Sequence, residues 1–207
     1  MKNISFIGFG ELGQQYLGFI NHKDAIVNVF DDNYKSTSTQ IIQYTFAFYN
    51  NVKSDDYYVA LGYKNMVKKF ELLNELTQHN KNTPNFIHNT SFVDRTAVIS
   101  PAVFIYPMVN IDKNVVIEIG TTINNGVILS HDSKVGKCCF LAPGVIISGF
   151  VEIGDFTFIG SGSIISNNVV IGKNVTIGIG SVITENIPDN SNVIGNPLRF
   201  LNHGINL

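Results

Sequence analysis

Residues 147–183 read ISGFVEIGDFTFIGSGSIISNNVVIGKNVTIGIGSVI, and every sixth residue is isoleucine, from Ile147 through Ile153, Ile159, Ile165, Ile171 and Ile177 to Ile183. The column continues toward the N-terminus without insertion through Leu141, Val135, Leu129, Ile123, Ile117, Ile111, Ile105, Ile99 and Val93, giving sixteen aliphatic members. Four residues after each lies a second column, from Ala97 to Ser181, whose members are all small or β-branched. A period of six fits neither a helix nor simple strand alternation. It fits a coil of short strands, with large aliphatics filling a tube and small residues where the walls approach. Gly136, Gly154, Gly160, Gly172 and Gly178 form a further column. They read as corner residues supplying unusual backbone angles. Pro101, Pro107 and Pro143 break helices but suit turns.

The N-terminal part has a different grammar. Residues 4–8, Ile-Ser-Phe-Ile-Gly, read as a strand. Gly8-Phe9-Gly10-Glu11-Leu12-Gly13 follows and opens a helix with Leu12, Tyr16 and Leu17 on related faces. Ala25 to Phe30 reads as a second strand ending in Asp31-Asp32, and Tyr57 to Leu61 as a third, followed by Gly62-Tyr63-Lys64 and a helix to about Leu76. This is a βαβ pattern with a glycine turn at a helix N-terminus, and acidic residues lie about 20 positions on. A nicotinamide-dependent dehydrogenase is one reading, but residues 1–85 supply about half of a full dinucleotide fold. A glycine turn with no ligand is another. A mononucleotide-sugar site is the preferred one. The expected architecture is an α/β, Rossmann-like domain over residues 1–85, then an all-β parallel β-helix over residues 86–207 with a closing C-terminal segment.

Apolar residues make up 44% of the 207 residues and charged ones 14%, with a net charge of -2. The scattered Lys and Arg, clustered only at Lys68-Lys69, argue against a nucleic-acid partner held through phosphates. The chain shows no signal-peptide architecture and no run able to span a bilayer, so a cytoplasmic protein is expected. Cys138 and Cys139 are the only cysteines. Neighbours on a strand face opposite ways, so no disulfide is expected. Cys139 falls in the small inward column, and Cys138 is expected to face outward.

Of the five histidines, His22, His79, His88, His131 and His203, only His131 lies inside the hexad run. It stands two residues past the inward Leu129, at a predicted corner with its ring outward. Histidine suits proton abstraction near neutral pH. Asp132 follows directly and can orient the ring. A metal centre of the carbonic-anhydrase type needs three histidine ligands, and the repeat offers one, so no metal is expected.

The hexad columns resemble those of the hexapeptide acyltransferases. The closing segment, Gly180 to Ser191 and then Gly195-Asn196-Pro197, is similar too. With the βαβ segment in front, nearly the whole chain resembles the bacterial sugar O- and N-acyltransferases. The resemblance implies three hexads per triangular, left-handed coil, against the usual crossover rule, with residues 18 apart stacked. It implies acetyl-CoA as donor and an amino group on a nucleotide-linked dideoxy sugar as acceptor. It also implies a homotrimer with each acyl site shared between neighbours. O-acetylation of a sialic acid or related sugar is the alternative within the class. A non-catalytic nucleotide-binding assembly module is the alternative outside it.

Residue by residue, His131-Asp132-Ser133-Lys134-Val135-Gly136 matches the family's His–acidic motif, and Asn124 matches an active-site Asn. The resemblance casts His131 as general base and Asp132 as its orienting acid. It casts the Gly149 N–H as donor to the thioester oxygen, and backbone groups near Ser161 and Ile179, on the same wall, as coenzyme A contacts. Asp31 and Asp32 match a base-binding acidic pair, and Gly8, Gly10 and Tyr63 match substrate-binding positions more loosely. Some relatives carry a second active-site His nine residues after the first. Phe140 stands there, which leaves the acyl group and the acceptor open.

Overall fold

A computed structural model describes residues 2–20, 25–35, 41–45, 49 and 51–205. The chain divides into two compact units, Met1–Pro84 and Asn85–Leu207.

The first unit is built on four parallel strands, β1 (Lys2–Ile7), β2 (Ala25–Phe30), β3 (Ile41–Tyr44) and β4 (Asp56–Val59), in the order β3-β2-β1-β4. Helix α1 (Glu11–Phe19) and helix α2 (Met66–Gln78) follow β1 and β4. β1 lies between β2 and β4, and its last four residues are buried, as expected for a central parallel strand. The edge strand β3 is not foreseen from sequence. Its four residues are only partly buried or exposed, so they carry no alternation to read. Gly13 lets α1 sit close to the strand end, because a Cβ there would lie 2.8 Å from the Gly8 carbonyl oxygen.

The second unit is a parallel β-solenoid of the left-handed type. Each hexad contributes a two-residue strand and a turn, and each strand pairs in parallel with the one 18 residues later, as in Thr122↔Phe140 and Ile123↔Leu141. Three walls result. The first runs from Phe86–Ile87 through Thr122–Ile123 to Thr176–Ile177. The second runs from Phe92–Val93 through Ile128–Leu129 to Val182–Ile183, and the third from Val98–Ile99 through Lys134–Val135 to Val170–Ile171. The coil thus starts one hexad before Val93, at Ile87, an aliphatic in phase but 43% exposed at the end of the stack. At the other end the register shortens to 16 residues, with Ile187 beside Ile171 and Val193 beside Ile177. Arg199–Leu201 then pairs antiparallel with Asn192–Ile194 and ends the parallel stack.

The inward column from Ile105 to Ile183 is buried, as the period implies. The small column does more than fill space. Thr121, Ser133, Thr157 and Ser163 are fully buried, and each hydroxyl donates to a carbonyl 15 residues on, as Thr121 does to Gly136 at 2.8 Å. Each also accepts the N–H of the residue 18 later, as Thr121 Oγ1 does from Cys139 at 3.1 Å. These hydroxyls tie successive coils together in the dry interior, where an unpaired polar group is costly.

The corner glycines need correcting. Positive φ falls on a different column, running every six residues from Ala102 through Met108, Asn114, Gly120, Gly126 and Asp132 to Gly180. Gly136, Gly154, Gly160, Gly172 and Gly178 are not in it. They are demanded by the close approach of the next coil: a Cβ on Gly154 would lie 2.6 Å from the carbonyl carbon of Gly172 and 2.6 Å from the N of Lys173. Backbone cannot step aside as a side chain can. A substitution pair separates the two reasons. Gly154→Ala is expected to lower stability by about 1–3 kcal/mol through overpacking. Gly162→Ala, at φ +68° but facing open space, is expected to cost about 1 kcal/mol of backbone strain. Urea midpoints of the two variants give the comparison.

Candidate active site

The turn after Ile128–Leu129 carries His131 and Asp132 at the corner between the second and third walls. Asp132 sits at φ +60°, a left-handed conformation that Asp tolerates better than most residues. Its Oδ2 lies 2.9 Å from His131 Nδ1, and its Oδ1 accepts from Asn114 Nδ2 at 2.9 Å. Asn114's amide, and after it His131, hold the Asp132 carboxyl below the usual carboxylate range. An ionised carboxylate only accepts, so Nδ1 carries the hydrogen, and in the neutral ring Nε2 then keeps its lone pair. The His131 side chain is 39% exposed. The Phe150 ring meets it edge-on at 5.1 Å between centroids.

Gly149 stands one coil above His131. A Cβ there would lie 2.7 Å from His131 Cε1 and 2.9 Å from Nε2. The missing side chain is therefore the space the ring occupies. The Gly149 N–H does not face an empty oxyanion site: it donates to Asn167 Oδ1 at 2.9 Å. The expected oxyanion donor is engaged, because the residue 18 further on is an amide rather than an apolar side chain.

The remaining candidates fall elsewhere. Asn124, Ser161 and Ile179 belong to the corner between the first and second walls, on the opposite edge of the second wall from His131. Ser161 and Ile179, 18 apart, stack on one another, but they do not share a corner with Gly149, since 161 and 149 differ by 12. Asn124 is buried, and its Nδ2 donates to the Leu141 carbonyl at 3.1 Å. Phe140 lies on the first wall, where it stacks on Phe158 at 5.8 Å, and does not line the His131 corner of its own chain. Along the second wall, between the two corners, Ile128, Ile146 and Ile164 form an exposed apolar row.

In the first unit, the ends of β1, β2 and β4 bring the glycine turn, Asp31-Asp32 and Gly62-Tyr63 to one edge of the sheet. Asp31 has a structural task that its sequence does not show. Its Oδ2 accepts the Phe9 N–H at 2.7 Å and its Oδ1 the Asn33 N–H at 2.9 Å, which pins the turn. Asp32 is exposed. Gly8 is required by the fold, at φ +81° and with Leu61 Cδ2 2.7 Å from a would-be Cβ. Gly10 has nothing within 4 Å of that position and caps α1 without a side-chain bond. Tyr63 begins a single 3₁₀ turn, Tyr63–Asn65. His22 lies outside the described residues.

Residues 83–177 match the family described as the GMPPB C-terminal domain. No curated protein matches the chain significantly in sequence. Among solved structures, the acetyltransferase domain of PglB from Neisseria gonorrhoeae, in complex with acetyl coenzyme A, is 24% identical. It superposes with a TM-score of 0.85 over 97% of this chain and 99% of that one. A variant of perosamine N-acetyltransferase from Caulobacter crescentus, in complex with CoA and GDP-perosamine, is 21% identical, with a TM-score of 0.88 over 98% of each chain. WeeI from Acinetobacter baumannii is 21% identical, with a TM-score of 0.80 over 97% of this chain and 100% of that one. The chain shares the fold of these proteins.

Among the described residues, no helix is long and apolar enough to cross a membrane, and no group of three or more His, Cys, Asp and Glu could hold a metal ion. Cys139 is in the tube core, where burial pushes its thiol up to about 12. A thiol that stays protonated at neutral pH is a poor nucleophile. Cys138, expected to face outward, is only 1% exposed. It occupies a turn position of positive φ, and the same place one coil on holds Phe156. Ellman's reagent is therefore expected to find no reactive thiol in the folded protein and two after denaturation. A fast-reacting thiol in the native state would reopen covalent catalysis.

Proposed function

We propose that the protein is an acetyl-CoA-dependent N-acetyltransferase acting on the amino group of a nucleotide-linked amino-dideoxy sugar. The observation that carries this is the His131–Asp132 pair, with its ring under Gly149, on an exposed corner of a solenoid shared with sugar acetyltransferases. His131 Nε2 takes the proton as the acceptor nitrogen attacks the thioester carbonyl. The C–S bond breaks, and the coenzyme A sulfur takes that proton from the imidazolium and leaves as the thiol. Asp132 holds Nδ1–H and stabilises the imidazolium that forms. Transfer is direct, with no acyl-enzyme, since the Cys139 thiol is buried and protonated. Gly149's N–H assists the oxyanion only if Asn167 gives it up.

In this reading the first unit is a Rossmann-like domain that holds the nucleotide. The open face at Gly10 suits close approach of phosphate to the α1 N-terminus, and Asp32 suits a base or ribose donor. Asp31 acts indirectly, by fixing the turn. Acetyl-CoA binds along the corner of Ser161 and Ile179, and two cysteines that form no disulfide suit a reducing cytoplasm.

His131 and Asn124 lie on opposite edges of the second wall, so a site using both takes its two halves from two copies. The exposed Ile128, Ile146 and Ile164 row provides the contact, and a homotrimer closes the arrangement.

Three measurements test this. His131→Ala is expected to keep the fold, lower turnover by roughly 100- to 10,000-fold in a thiol-release assay and shift the Michaelis constants little. A folded variant with wild-type turnover would remove His131 as base. Mixing inactive His131→Ala chains with inactive Asn124→Ala chains is expected to restore activity at roughly a quarter of the sites after subunit exchange. No recovery would mean that each chain builds its own site. Asp32→Ala is expected to weaken nucleotide-sugar binding in calorimetry and leave acetyl-CoA binding unchanged, whereas Asp31→Ala should also lower thermal stability.

A further inference from the structure

The proposed base is tied into a polar run along its corner that begins two coils away. Asp94 Oδ1 accepts from the Thr96 hydroxyl at 2.6 Å, and Thr96 Oγ1 accepts the backbone N–H of Asn114 at 2.8 Å. Asn114 Nδ2 then donates to Asp132 Oδ1, and Asp132 Oδ2 meets His131 Nδ1, each at 2.9 Å. Asn114 and Asp132 are 18 apart, at φ +57° and +60°, so their side chains leave equivalent turns one above the other. The orientation of the Asn114 amide is fixed by chemistry. The carboxylate accepts only, so the NH2 side must face it. One oxygen of Asp132 is thereby occupied, and the other is left aimed at the ring. Resting on the reading of His131 as a general base, we propose that Asn114 is a positioning residue: it locks the Asp132 carboxylate so that His131 is held as the Nδ1–H tautomer with Nε2 bare.

A purely structural role is the competing account, because amide ladders between coils occur elsewhere. Asn174 Nδ2 donates to Asn190 Oδ1 at 3.2 Å, with no titratable partner. That pair is an internal control. What sets Asn114 apart is that its acceptor is the carboxylate already bonded to the imidazole. Lys113, whose carbonyl accepts the Asp132 N–H at 3.0 Å, also bears on that carboxylate, and it is left in place by the substitutions chosen.

Asn114→Gly is the suitable variant, since glycine tolerates φ +57° and removes only the amide. Asn174→Gly, at φ +59°, is the matched control. The direct readout is the pair of ¹⁵N shifts of the His131 ring. Wild type and Asn174→Gly are expected to show a protonated Nδ1 and a bare Nε2, and Asn114→Gly a mixture of tautomers. Turnover of Asn114→Gly is expected to fall roughly tenfold, less than on losing the base itself, with both Michaelis constants little changed. Asn114→Gly in an Asp132→Asn background is expected to add no further loss. An Asn114→Gly protein whose His131 ring keeps the wild-type tautomer would overturn the proposal. So would an equal tautomer change in Asn174→Gly. The ring spectrum needs no substrate. If it shifts as expected while no acyl-CoA and amino-sugar pair is ever turned over, the positioning role stands and the acetyltransferase reading falls.

Discussion

The 18-residue register between coils is the constraint on which the solenoid unit depends. Parallel pairing of Ile128 with Ile146, and of its counterparts on each wall, fixes what every residue stands over and under. A tube with so regular a register turns sequence position into geometry. His131 must lie under Gly149 and over Lys113, and Asp132 over Asn114. The close approach this requires explains the glycines whose absent Cβ the next coil would strike. It also gives a use to the buried Ser and Thr that stand among the Val residues of the small column. Their hydroxyls bridge backbone groups of neighbouring coils without adding bulk.

The same register shows why part of the molecule was legible and part was not. The inward column announces itself, because each wall repeats one requirement, an aliphatic of similar size. The turn column of positive φ is a weaker signal: Gly, Asn and Asp, which tolerate that conformation, hold most of it, but Ala102, Met108, Cys138, Phe150 and Phe156 stand in it too. At those five the backbone is held by the pairing on either side rather than chosen by the residue. His131 could be found because it is the only histidine in the hexad run; polarity alone would not mark it, since Lys113, Lys137, Asp155, Asn167 and Lys173 stand at the same phase. Which corner it shares is a matter of steps of 18, and a period of six does not carry that. Steps of 18 join 131 to 149 and 161 to 179, and separate the two pairs.

In the first unit the reading from sequence was coarser, for a different reason. A parallel strand such as β1 is recognisable by its apolar run. The use of an aspartate is not recognisable from its place after a strand. Asp31 and Asp32 are neighbours of identical type. One is consumed by the Phe9 and Asn33 N–H groups that need a partner at the turn, and the other is left exposed. Backbone donors at a glycine turn must be satisfied by something. An acidic residue beside such a turn therefore has to be tested for this structural duty before a ligand is assigned to it.

Tube and corners carry separate burdens. Inside, aliphatics are interchangeable so long as volume is kept, and they supply stability. At the corners, side chains point away from the core, so a base, an acid or an amide can be placed there with little effect on packing. Gly149 is where the two burdens meet, since its backbone is part of the coil while its missing side chain makes room for the His131 ring. A single corner, however, offers only one line of side chains along an open edge. In the reading advanced for this protein, the second wall resolves that difficulty. Its apolar row lies between the His131 corner and the Asn124–Ser161–Ile179 corner, so the contact that buries the row also brings unlike corners of two chains face to face. Association then follows from the apolar row that the second wall presents, where the third wall places Lys134 and Glu152, and the cleft it forms is one that no single coil could enclose.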